Sequence, residues 1–175
     1  MARMNATINI LVGLGFSLLH LTSPAQGVEL SDVRSAYRAA CLAPSDGPTV
    51  EAFIDAAEAW VGTDTANAFH RGLLATARIM RAETQWNPME KLQTFHAQRA
   101  PLEAAIAAAP EHPELRLFRL SVQWSVPFFL DYSGDMEEDA AQVASAIASG
   151  FWSDDSEQGA FALTFLNHLR NDASN

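Results

Sequence analysis

Of the five histidines, His20 falls in an N-terminal apolar run; the other four, a cationic stretch and one acidic run are the side chains able to do chemistry, and their spacing decides what each can support. His70, His96, His112 and His168 include no pair four residues apart and no carboxylate–histidine pattern of a metalloprotease, so no metal site is expected. His112, set between Glu111 and Pro113, reads as a turn residue. The chain has no Gly-x-Ser-x-Gly elbow, no phosphate-binding glycine loop and no Cys-x-x-Cys-His. No catalytic residue and no cofactor is therefore assigned.

Asp131, Ser133, Asp135, Glu137 and Asp139 place oxygen donors at alternate positions of a calcium-type loop, but Met136 stands where such a loop needs glycine and Gln142 where it needs a closing glutamate. The run reads instead as an acidic first turn that offsets the positive end of a helix. Cys41, inside Tyr37-Arg38-Ala39-Ala40-Cys41-Leu42, reads as a small buried residue rather than a nucleophile.

Residues 66–119 hold Arg71, Arg78, Arg81, Lys91, Arg99, Arg116 and Arg119 against Glu83, Glu90, Glu103, Glu111 and Glu114, the one locally cationic region of an acidic chain. If their helices pack antiparallel, Arg78, Lys91 and Arg116 or Arg119 converge on an anionic ligand or a peptide carboxylate. The competing reading pairs them with Glu83, Glu90, Glu103 and Glu114 on solvated faces. The candidate binding set is Arg71, Arg78, Asn87, Lys91, His96, Arg116, Arg119, Gln123 and Tyr132. Within it, Arg78, Asn87, Lys91, His96, Gln123 and Tyr132 are the polar types from which a small-ligand or enzyme pocket would be built.

These residues need a frame. The chain has 175 residues, 49% apolar and 18% charged, with 21 acids against 11 bases and one cysteine. Length and composition suit a single globular domain, and the lone cysteine excludes an internal disulfide framework. Arg3, the apolar run Ile8–Leu21 and the small-residue exit at Ser23-Pro24-Ala25 are the parts of a secretory signal peptide, cut after Ala25 or Gly27. The apolar run is short for a spanning helix, so a soluble periplasmic product is expected, with an uncleaved N-terminal anchor as the alternative. Removing residues 1–25 takes away one Arg and no acid, moving the net charge from −10 to −11. Nucleic acid is excluded as a partner, and so is stable membrane insertion after cleavage.

Alanine dominates residues 26–175, alternating β-branched runs are missing, and Gly and Pro fall where helices would end. An all-α domain of about seven helices in antiparallel pairs follows, a tetratricopeptide-like or irregular bundle. The helices are expected at about 31–42, 49–61, 63 or 65 to 84, 88 onward with a kink or a break near Arg99-Ala100 ahead of Pro101, 113 or 114 to 125, 135–149, and from Ser153 or Asp154 onward. Pro127-Phe128-Phe129-Leu130 is expected to plug the core between the fifth and sixth.

The string Leu102-Glu103-Ala104-Ala105-Ile106-Ala107-Ala108-Ala109-Pro110-Glu111-His112-Pro113-Glu114-Leu115 resembles the end of one tetratricopeptide repeat running into the next, and Ala68-Phe69-His70-Arg71-Gly72-Leu73-Leu74 resembles the start of a repeat's first helix. Phe69-x-x-Gly72, Asn87-Pro88-x-x-Lys91-Leu92-x-x-Phe95, Glu114-x-Arg116, Arg119, Gln123, Pro127-x-Phe129-Leu130-x-Tyr132 and Asp139 are similar to a group of small exported bacterial proteins of uncharacterised function with a repeat-like core. The resemblance implies a helical fold and no activity. An exported protein that binds another protein or peptide is the expected function, with a small-ligand binder or enzyme, its polar pocket between the third, fourth and fifth helices, as the alternative.

Overall fold

The structure, a computed structural model, describes residues 27–172, so the signal peptide expected at 1–25 lies outside the described residues. Seven α-helices follow one another: α1 (Leu30–Leu42), α2 (Gly47–Val61), α3 (Ala68–Thr84), α4 (Pro88–Ala108), α5 (Pro113–Ser125), α6 (Met136–Ala148) and α7 (Ser156–Asp172). A 3-10 turn at Phe128–Leu130 links α5 to α6. The all-α architecture is as expected. No helix among the described residues is long and apolar enough to cross a membrane.

Local chemistry sets the helix ends. The Asp46 carboxylate accepts from the Thr49 amide at 3.1 Å and starts α2 a turn earlier than Thr49 would. Gly62 ends it at φ 55°, a conformation that favours glycine. Asn67, not Thr63 or Thr65, caps α3 through the Phe69 amide at 2.8 Å. Asn87 caps α4 through the Met89 amide at 3.0 Å, and Pro88 takes the first helical position, where a missing N–H costs nothing. Asp155 caps α7, accepting from the Gln158 amide at 3.0 Å.

Two expectations are corrected. Of the kink or break expected near Arg99-Ala100, the break does not occur: α4 runs unbroken through Pro101. Pro101 and Ala97 are both on the solvent face, so the Ala97 carbonyl that loses its amide partner is free to meet water. The Pro127–Leu130 connector does not plug the core: Phe128 is 94% exposed and Phe129 70%, and only Leu130 of the turn packs against the core.

Consecutive helices pack as antiparallel hairpins, α5 lies against α3 and α6, and α7 closes the set by returning to α1. An aromatic chain runs through the middle. Tyr37 meets Phe53, Phe118 and Phe161 at centroid distances of 5.5, 5.0 and 5.7 Å, and Phe69 stacks on Phe118 at 6.0 Å and on His112 at 4.6 Å. His112 is the turn residue expected, at the start of α5, with its ring between Phe69 and Phe151, and burial holds its pKa below the ordinary imidazole value.

Among the described glycines, Gly72 is the most tightly enclosed, where α3 meets α4 and α5. A Cβ there would collide with Leu115 Cδ2 and come within 3.3 Å of Ala105 Cβ. Leu115 and Ala105 are fully buried and have no room to retreat. Gly72→Ala should therefore destabilise the protein by about 1–2 kcal/mol, the overpacking outweighing the helix-propensity gain of about 1 kcal/mol. Urea unfolding checks this; a stabilised variant would show that the three helices are not held at that spacing.

Candidate functional site

The nine candidate residues do not meet in one place. Arg78 turns toward α2, 3.1 Å from Glu58, and Arg71 donates back to the Thr65 and Ala66 carbonyls ahead of its own helix. Asn87 is occupied as the α4 cap and holds Glu90 at 3.1 Å. His96 is exposed, and Gln123 is buried in α5 with neither amide atom hydrogen-bonded. The polar pocket expected from Arg78, Asn87, Lys91, His96, Gln123 and Tyr132 is not formed.

Arg116, Arg119 and Tyr132 do converge, on protein carboxylates. Arg119 Nε and Nη2 grip Asp139 at 2.7 and 2.8 Å, and Arg116 Nη1 reaches the same carboxylate at 3.0 Å. Glu103 and Asp135 take the other Arg119 nitrogen at 2.9 and 3.1 Å, and Glu138 stands 3.4 Å from Arg116. The Tyr132 hydroxyl donates to Glu103, while the Arg99 guanidinium lies 4.5 Å from the Tyr132 ring centroid. Burial, reinforced by that hydrogen bond, pushes the phenol well above its ordinary value, so Tyr132 stays a neutral donor and is no general base. Asp139 is fully buried, within the acidic first turn of α6 that the sequence leads one to expect.

A second buried cluster joins α1 to α5 and α7. Arg34 Nε and Nη2 hold Glu114 bidentately at 2.9 and 2.8 Å, so Glu114 is not on a solvated face, and Asp154 and Asp155 approach the third Arg34 nitrogen at 3.5 and 3.7 Å. Burial lifts the Glu114 carboxyl above its ordinary range against the pull of Arg34. Arg38 takes Glu157 at 2.7 Å and Asp155 at 3.7 Å. Between Asp131 and Glu157, six of eight acids, namely Asp135, Glu138, Asp139, Asp154, Asp155 and Glu157, are thus paired with arginines; Asp131 and Glu137 are in no ion pair among the described residues.

One candidate, Lys91, faces a cavity of a different kind. An open cleft of about 870 Å³ lies between the C-terminal ends of α1, α3 and α5, the start of α4, the 3-10 turn and the middle of α7. Its walls are Ile79, Met80, Leu92, Phe95, Val122 and Phe165, and Lys91 is the one Lys or Arg that lines it. The Lys91 ammonium is 3.4 Å from the Glu83 carbonyl and 3.7 Å from its carboxylate. Cys41 reaches the cleft too, but burial pushes its thiol up to about 12, so it acts as an apolar surface.

Most of the exposed large apolar side chains gather here, Phe151 and Leu163 being the ones among the described residues that do not. Leu42 (80% exposed), Met89 (60%), Trp124 (38%) and Phe129 (70%) line the cleft, Phe128 adjoins it, and Trp86 stands between Glu83 and Pro88, which line it too. Monomeric proteins seldom expose so many large apolar groups together unless the patch binds something. No family model matches the chain, and no curated protein or solved structure matches it. The site therefore rests on its geometry.

Asp139→Ala strands two buried guanidinium groups and should cost about 3–5 kcal/mol in urea unfolding, where Lys91→Ala, half in solvent, should cost less than about 1 kcal/mol. Equal small effects would mean that the Arg116–Arg119–Asp139 clamp is open to water.

Proposed function

We propose that the chain is an exported helical protein that binds an apolar segment of another protein or peptide in the cleft between α3, α4, α5 and α7. The carrying observation is the ring of uncovered apolar side chains, Leu42, Trp86, Met89, Trp124, Phe128 and Phe129, on and around one concave apolar surface. Paired helices that present a groove suit the tetratricopeptide-like resemblance of the sequence, and an amphipathic helix laid apolar-side down is the ligand such a groove accepts. Charge selects among such ligands. The chain carries a net −10, so a neutral or basic polar face is favoured over an acidic one. Export rests on residues 1–25 of the sequence alone.

A Leu/Lys amphipathic model peptide should bind with micromolar affinity by isothermal titration calorimetry, and a permuted peptide lacking an apolar face should not. Leu42→Ser with Met89→Ser, both at exposed positions, should weaken it at least about tenfold without changing the helical circular dichroism. Undiminished binding to that double variant, or none to the parent, would overturn the reading.

A further inference from the structure

We infer that, when no partner is present, the occupant of the cleft is the Phe128–Phe129 turn of a second copy of this chain, each copy seating its turn in the other's cleft. The inference rests on the cleft being a docking surface and adds what regulates access to it.

The turn is built to hold its shape. Leu130 and Asp131 donate their amides to the Pro127 and Phe128 carbonyls at 3.0 and 3.1 Å, Pro127 fixes the entry, and Asp131 leaves in the left-handed region at φ 48°. Leu130 anchors the turn to the core while Phe128 and Phe129 touch each other edge to face at 6.2 Å and project outward. Two aromatic rings presented on a fixed backbone lose little entropy on docking, which is what an interface anchor requires.

The turn and the cleft lie on one face, since Phe129 itself lines the cleft mouth. A two-fold axis beside that mouth therefore brings each turn onto the other copy's cleft, the condition for a closed isologous pair. The area is adequate. The exposed parts of Leu42, Trp86, Met89, Trp124, Phe128 and Phe129 amount to on the order of 900 Å² per copy, against the ~800 Å² per partner of a standard interface.

Electrostatics points to this face as well. A chain of net charge −10 repels its own copies, so self-association is easiest where local charge cancels. Inside the cleft the one Lys or Arg, Lys91, lies beside Glu83, and the rest of the lining is apolar or neutral apart from His168. The long-range repulsion remains, so added salt should tighten the pair, the reverse of what a charge-paired interface does.

Sedimentation equilibrium of the exported protein is the test, with circular dichroism to verify folding. A monomer–dimer equilibrium in the micromolar range is expected, tightening as NaCl is raised. Phe128→Ser with Phe129→Ser, at exposed positions, should weaken it at least about a hundredfold, and saturating Leu/Lys peptide, which takes the same cleft, should shift the parent protein toward monomer. Met89→Glu, which puts like charges across the two-fold at the cleft rim, should dissociate the dimer from the other side. A dimer that survives both variants lies on another face and overturns the inference. A protein that stays monomeric yet binds the peptide overturns it too, while leaving the docking function standing; a monomer that binds no peptide sinks both.

Discussion

Ten consecutive residues of α5, Glu114 to Gln123, are buried, and Glu114, Arg116 and Arg119 among them are ionisable. A charge taken out of water costs several kcal/mol unless an opposite charge and hydrogen bonds meet it. That requirement organises the helices around α5. Arg34 brings α1 to its first turn, Asp139 brings α6 to its middle, and Glu103 brings α4 to the same point. Asp154 and Asp155 at the start of α7 complete the Arg34 cluster, which is how the last helix is held against the first. Apolar packing supplies the core's driving force, but it is indifferent to which greasy face meets which. The ion pairs are directional and specify the neighbours.

The same pairs determine where function is sought. A cationic stretch on an acidic chain suggests an anion site, yet here Arg116 and Arg119 are saturated by Asp139, Glu103, Asp135 and Glu138, and Arg78 and Arg81 are paired at the surface with Glu58 and Glu51. A guanidinium already held by a carboxylate has little left to offer a ligand. What remains uncovered is apolar, at the end of the molecule where α1, α3 and α5 finish and α4 begins. Helix termini diverge there, and the cleft opens between them.

Helix order and most boundaries were legible because Pro88, Pro113, Gly62, Gly150 and the Asn87 cap act locally. Of the kink or break expected near Arg99-Ala100, the break is absent for a tertiary reason, since the affected carbonyl faces solvent and α4 is braced along α3. Pairing was less legible. Arg34 and Glu114 are 80 residues apart, and no local pattern ties them. Asp139 did leave a trace, standing four residues before Val143 and seven before Ala146 on the inward stripe of α6, and its place in the acidic run concealed it. For Phe128 and Phe129 the sequence offers apolar character alone, which suits a core plug and an exposed anchor equally well.

The central claim, that counterions for the buried charges of α5 choose its neighbours, is tested most directly by a double-mutant cycle on Arg34 and Glu114, read by urea unfolding. Arg34→Met or Glu114→Gln alone leaves a buried charge without its partner and should cost about 3–5 kcal/mol, while the double variant should recover much of that loss, a coupling of at least about 2 kcal/mol. Small single costs that simply add would contradict the account and leave apolar packing alone to position the helices.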